Sequence, residues 1–197
     1  MSFAITVTDP SQRVYAATDS KITNLIDDAP LGDVQKLYPL GTQASISLTG
    51  YYDLALSIIA LFSACYDDSW TLDEALIELS RISIAFEAEY YKEIQRLADC
   101  TFLLARNHNG VPEQAVLMLS GRKIVIVREP LRMGDYHFFF SHPVDMKYEM
   151  CKQLCNLYFQ TAGSLPTPEV LQLLIRDIAQ QSKYVNDNVQ LWSPAQN

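Results

Sequence analysis

Apolar residues alternate with small or polar ones along Phe3-Ala4-Ile5-Thr6-Val7-Thr8, and an extended apolar run resumes at Val14-Tyr15-Ala16-Ala17. Period-two alternation is the signature of a half-buried strand. Between the two runs, Asp9-Pro10-Ser11-Gln12 supplies turn chemistry. The chain is thus committed to a β-hairpin from its outset. A second hairpin follows, with Lys36-Leu37-Tyr38-Pro39-Leu40, a turn at Gly41-Thr42-Gln43, and Ala44-Ser45-Ile46-Ser47-Leu48.

Hairpin pairing places particular side chains together. With the first turn centred on Pro10 and Ser11, the numbers of cross-strand partners add to about 21, which sets Asp19 opposite Ser2. The second ladder brings Lys36 and the pair Thr49-Gly50 to a common end. If both hairpins lie in one sheet, Ser2, Asp19, Lys36 and the Gly50 N–H meet at one rim. These are a nucleophile, a charge-positioning carboxylate, an ammonium and an oxyanion donor. Each also has an ordinary reading. Serine after Met is common, Asp19 can cap a turn, Lys36 can be a solvated strand-end lysine, and Gly50 can be the φ > 0 residue before a helix near Tyr51. Their convergence is what points to chemistry.

These same segments resemble the proteasome β-subunit family, which includes the bacterial HslV peptidase and the Anbu proteins, all N-terminal nucleophile (Ntn) hydrolases. The resemblance rests on Ser2-Phe3-Ala4-Ile5-Thr6-Val7, Tyr15-Ala16-Ala17-Thr18-Asp19-Ser20, Lys36-Leu37-Tyr38-Pro39-Leu40 and Ile46-Ser47-Leu48-Thr49-Gly50. It implies an α+β fold, a four-layer αββα sandwich with two packed antiparallel sheets and outer helices. It further implies that Ser2, bared by loss of Met1, is the nucleophile, with Asp19 and Lys36 as the charged pair and Gly50 at the oxyanion hole. Ser141, in Phe140-Ser141-His142-Pro143, matches a supporting serine of the family, with His142 where a glycine is usual. The step from Lys36 to Gly50 agrees with the family spacing, whereas that from Ser2 to Asp19 needs one extra residue, assigned to the Asp9–Gln12 turn.

The remainder of the chain supplies the other layers. Leu54, Ile58, Leu61 and Cys65 have helical spacing, so Tyr52 to Cys65 reads as a helix. Thr71-Leu72-Asp73-Glu74 carries a capping-box pair and opens a long amphipathic helix running to about Arg96. Thr101–Ala105, Ala115–Leu119, Lys123–Val127 and His137–Ser141 read as four strands. Val144 to Thr161 and Pro168 to about Val185 read as helices, and Trp192 anchors a terminal tail. Strands, two helices, strands and two helices are the order an αββα sandwich requires, because each sheet then buries one face on helices and one on its partner. The family also places an aspartate and a serine near the end of the last helix. Gln180-Gln181-Ser182-Lys183-Tyr184-Val185 offers the serine but no carboxylate, with Asp177 one turn early and Asp187 a few residues late.

Composition narrows the function classes. A chain of 197 residues with 49% hydrophobic and 11% aromatic content suits one folded domain, residues 1–197. A net charge of −8 argues against nucleic acid or an anionic membrane as partner. No stretch reaches membrane-spanning length and no signal peptide is expected, so the expectation is a cytoplasmic protein. Four cysteines fit a reducing compartment. Cys151 and Cys155 share a helix face with Leu154 and Tyr158, a packing pattern rather than a metal site. His137 and His142 are read as strand-end residues, and neither a metal nor a cofactor is called for.

The favoured expectation is a peptidase or amide hydrolase acting on peptides or unfolded proteins within a homo-oligomeric ring or spiral. An ATP-dependent unfoldase partner is implied only by the likeness to HslV. Two alternatives stand beside it: a proteasome-like structural subunit without turnover, and a stand-alone Ntn amidohydrolase acting on a small amide.

Overall fold

The first hairpin joins strand β1 (Ala4–Thr8) to β2 (Val14–Asp19) in the computed structural model, which describes residues 2–23, 29–94, 99–121, 123–128 and 134–194. Its turn is longer than the sequence pattern implies. Gln12 donates its N–H to Asp9 O at 2.9 Å and adopts a left-handed φ of 64°. Asp9 Oδ1 meanwhile accepts the N–H groups of Ser11 and Arg13 at 2.9 and 3.0 Å. The loop therefore holds three residues, a tight turn followed by one left-handed residue. Partner numbers add to 22 instead of 21, as in Ala4 with Thr18. Asp19 consequently lies beside Phe3, whose carbonyl accepts the Asp19 N–H at 3.3 Å, and not directly opposite Ser2.

A short ribbon of β3 (Lys21–Thr23) and β4 (Pro30–Asp33) leads into the second hairpin, β5 (Leu37–Leu40) and β6 (Ala44–Gly50). Helices α1 (Tyr52–Cys65) and α2 (Leu72–Ile94) follow. The Thr71–Glu74 capping box forms as expected: Glu74 N donates to Thr71 Oγ1 at 3.2 Å and Thr71 N to Glu74 Oε2 at 2.7 Å. Residues 95 and 96, to which the sequence pattern extends this helix, lie outside the described residues. Next come β7 (Asp99–His108), β8 (Val111–Ser120), β9 (Lys123–Val127) and β10 (His137–Ser141). Helices α3 (Tyr148–Thr161) and α4 (Thr167–Gln181) precede a last strand, β11 (Val189–Trp192).

The strands form two main antiparallel sheets, ordered β10-β1-β2-β11 and β5-β6-β7-β8-β9. The two N-terminal hairpins therefore belong to opposed sheets, not to one, and the residues they were expected to gather approach across the sandwich. Phe3, Ile5 and Val7 pack on Cys151, Phe159, Leu171 and Leu174 of α3 and α4. In the other half, Ile46, Leu48, Phe102 and Leu117 pack on Ile58, Phe62, Leu79 and Ile82 of α1 and α2. Between the sheets lie small residues, Ala4, Thr6, Ala16, Ser45, Ser47 and Ala105, all fully buried, together with larger ones such as Val14, Leu37, Leu103 and Val116.

That middle layer explains why the alternation in β1 misleads about burial. All five of its residues are buried. Its polar side chains face the second sheet and not solvent, and the period-two pattern separates two kinds of core.

Three further segments depart from the sequence reading. Residues 144–147 form a turn instead of the first turn of α3, with Met146 N donating to Pro143 O at 3.2 Å. Helix α4 stops at Gln181, because Ser182 turns extended at ψ 128°. Trp192 does pack, against Val14, Ala16, Leu37 and Ala105, but it does so from a strand paired with β2.

The two kinds of core should respond differently to truncation. Phe62, 0% exposed among α1, α2 and the sheet, should lose about 3–5 kcal/mol on Phe62→Ala. Ser47 Oγ is buried without a hydrogen-bonding protein partner, so Ser47→Ala should change stability by less than about 1 kcal/mol or raise it. Urea unfolding of the two variants measures the contrast.

Candidate active site

Ser2 stands two residues before the start of β1 and is only 6% exposed, and its hydroxyl is directed into the protein. Lys36 arrives from the other sheet, just before β5, where the ladder fixes its backbone: Leu48 N donates to Lys36 O at 3.0 Å. Its side chain runs inward, with Nζ donating to Ser2 Oγ at 2.5 Å and to Asp19 Oδ2 at 3.0 Å. The third ammonium proton goes to the Lys21 carbonyl, which also accepts from Ser2 Oγ at 3.4 Å. All three donors of Lys36 are thus satisfied although the residue is 2% exposed.

Asp19 ties the cluster together. Its Oδ1 accepts the Phe3 N–H and its Oδ2 the Lys21 N–H, both at 2.9 Å. One carboxylate therefore orients the residue following Ser2, the residue whose carbonyl faces Lys36, and Lys36 itself. Burial pushes the Asp19 carboxyl above its ordinary range, opposed by Lys36 and by the two backbone N–H groups. Burial likewise holds the Lys36 ammonium below the usual lysine value, opposed chiefly by Asp19. A proton on Lys36 Nζ is therefore held less tightly than on a solvated lysine, at hydrogen-bond distance from a hydroxyl.

Ser141 meets Thr49, the neighbour of Gly50, by a different route. Ser141 pairs with Ala4 at the end of β10, two residues from Ser2. Its hydroxyl is bonded to Thr49 Oγ1 at 2.7 Å, not to Ser2. Gly50 follows Thr49 at the end of β6 with φ +102°, and a Cβ added there would fall 2.0 Å from the Asp99 carbonyl oxygen. Only glycine fits that corner.

Several contributors escaped the sequence reading. The Lys21 carbonyl bears no side-chain signature. Ser182 does find a carboxylate, but from the turn before α3: Asp145 Oδ1 accepts Ser182 Oγ at 2.7 Å, and Oδ2 accepts the Lys183 N–H at 3.0 Å. Asp177 and Asp187 do not take that place. Lys183 O in turn accepts a bond from Lys21 Nζ, which ties this loop to the cluster. No local pattern marks Asp145, because its partner lies a whole helical hairpin away in sequence. His142 Nδ1 lies 3.0 Å from Pro143 O and its ring meets Tyr148 edge-on. Cys151 and Cys155 are buried free thiols, and burial raises the former to about 11. Among the described residues, no group of three or more His, Cys, Asp or Glu converges as metal ligands, and no helix is long and apolar enough to cross a membrane.

No protein-family model matches the sequence, and no curated protein matches it. Solved structures do match in shape. HslV from Trypanosoma brucei superposes with a TM-score of 0.63 at 12% identity, over 98% of this chain and 99% of that one. The Anbu complex from Pseudomonas aeruginosa, described as a helical assembly, gives 0.69 at 13% identity over 97% of this chain and 80% of its own. Thiobacillus denitrificans BPH, solved in complex with epoxomicin, gives 0.61 at 16% identity over 96% and 97%. At such identities the likeness speaks to fold, and the fold of this chain is that of the proteasome-type Ntn hydrolases.

Proposed function

We propose that the chain is a proteasome-type N-terminal nucleophile peptidase or amide hydrolase whose nucleophile is Ser2, exposed by removal of Met1. The observation that carries this reading is the 2.5 Å approach of Lys36 Nζ to Ser2 Oγ, with Asp19 at 3.0 Å behind it and all three side chains buried. A buried lysine with a lowered proton affinity, touching a hydroxyl, is what activating a weak nucleophile requires.

In this mechanism Lys36 in its neutral form accepts the Ser2 hydroxyl proton as Oγ attacks an amide carbonyl. Asp19 keeps the resulting ammonium paired. Gly50 offers its backbone N–H to the developing oxyanion. The proton then passes to the leaving amine, with the freed Ser2 α-amine, of unperturbed pKa about 7.7–8.0, suited to relay it near neutral pH. Water hydrolyses the resulting ester and frees Ser2. The Thr49–Ser141 hydroxyl pair braces the ends of β6 and β10 beside this site. By likeness to HslV and to the helical Anbu assembly, the working form is a cytoplasmic homo-oligomer that encloses peptide or unfolded-protein substrates, served by an ATP-dependent unfoldase.

Intact mass of the native protein should show loss of Met1. Incubation with a peptide epoxyketone should then add one inhibitor mass on the Ser2 peptide, and Ser2→Ala should abolish it. A retained Met1 together with no adduct overturns the reading in favour of a structural subunit.

Lys36→Arg tests the base directly, since arginine keeps the charge but does not release its proton. Labelling should fall about 10²–10⁴-fold. In the wild type it should rise with pH, its midpoint lying below an ordinary lysine because burial lowers the Lys36 value. A flat profile, or a Lys36→Arg variant that labels normally, argues against this assignment.

Gly50→Ala should cost about 1–3 kcal/mol from its φ alone and more from the clash with Asp99 O. Thermal unfolding and epoxyketone labelling should therefore fail together in that variant.

A further inference from the structure

The cluster draws Asp19 from one sheet and Lys36 from the other, and its geometry depends on what fixes the two sheets relative to each other at that end. Strand β11 supplies the link. By backbone pairing it belongs to the first sheet, with Val189 opposite Asp19 and Gln190 opposite Thr18. The side chain of Gln190 crosses to the second sheet. Its Oε1 accepts the Lys36 N–H at 2.8 Å and the Leu37 N–H at 3.1 Å, while Nε2 donates to the Val34 carbonyl at 2.7 Å.

β5 is the edge strand of its sheet, with β6 as its one neighbour there. One amide thus does for the start of β5 what a neighbouring strand would do. Lys36 is gripped from both sides, by the Leu48 N–H on its carbonyl and by Gln190 on its N–H. The gripping residue sits next in sequence to the ladder partner of Asp19.

We propose that Gln190 is a positioning residue that sets Lys36 against Ser2 by clamping the start of β5 to the sheet carrying Asp19. It touches no reacting atom and acts through the Lys36 backbone. A side chain reaching inward from a fixed Cα inherits any displacement of that Cα, and misplacement of about 1 Å in a reacting group can cost about 10²-fold in rate. The charged groups around Lys36 are Asp19 on β2, Lys21 on β3 and Asp33 on β4, and a neutral replacement at 190 alters none of them.

The inference rests on the proposed hydrolase function for its kinetic consequence, so the test carries two readouts. The first is the titration of the Lys36 side-chain amine by 15N NMR, assigned from the signal missing in Lys36→Arg. The second is the rate of epoxyketone labelling against pH. Gln190→Met keeps the volume but makes none of the three bonds. Gln190→Asn keeps the amide but is one methylene too short to span, and serves should the first variant fold poorly.

Loosening the clamp admits water to Lys36, so its titration midpoint should rise towards that of an ordinary lysine. Labelling should slow about 10- to 100-fold, with its pH midpoint rising in parallel. Lys36 titrating as in the wild type in either folded variant would overturn the role of Gln190. Wild-type protein that never labels, with a Lys36 midpoint that still moves on Gln190→Met, would overturn the hydrolase reading while leaving the clamp in place.

Discussion

The contact between Lys36 and Asp19 organises this end of the molecule. Both charges are withdrawn from water, and each ion carries a desolvation penalty of several kcal/mol that only close pairing and further hydrogen bonds offset. The structure supplies those bonds in full. Asp19 accepts from Phe3 N, Lys21 N and Lys36 Nζ, and Lys36 donates to Ser2, Asp19 and the Lys21 carbonyl. Losing either partner would leave a buried unpaired charge, at a cost of about 3–5 kcal/mol. The N-terminal segment, the ribbon at Lys21 and the start of β5 are therefore bound to one another through this pair.

A sandwich is a suitable frame for such a pair because it sets strand ends of two sheets against each other. Small residues, Ala4, Thr6, Ala16, Ser45 and Ser47 among them, share the gap with larger ones such as Val14, Leu37, Leu103 and Val116, while the largest apolar clusters face outward to the helices. At this end of the sandwich a lysine rooted beside one sheet reaches an aspartate in the other. The bulk that drives folding is meanwhile placed where it buries the most apolar area, against α1 and α2 on one side and α3 and α4 on the other.

The segment after α4 has more to do than close the chain. Asp145 anchors Ser182 and Lys183, the Lys183 carbonyl receives Lys21 Nζ, and Gln190 bridges to Lys36 and Leu37. Asn186 adds a bond from Ser20 N at 3.1 Å. Residues remote in sequence thus brace both hairpins that bear the candidate nucleophile and its charged partners. Ser2 and Lys36 meet because a third, late segment holds their strands in place.

From the linear chain alone, the hairpins, the boundaries of α1, the Thr71–Glu74 cap, β9, β10 and the layer order could be read, since each follows from local periodicity or from side-chain bonding within a few residues. The association of Ser2, Asp19 and Lys36 was legible too, through pairing arithmetic and family resemblance. Its register was off by one, because nothing in Pro10-Ser11-Gln12 announces that Gln12 turns left-handed. Three things were decided only in three dimensions: the assignment of the hairpins to opposed sheets, the strand β11, and the service of Asp145 and Gln190. Each depends on contacts between residues far apart along the chain. Local pattern can say which face of a strand is apolar, but what comes to cover that face, and from which distant turn a carboxylate or amide arrives, is settled by how the layers close on one another.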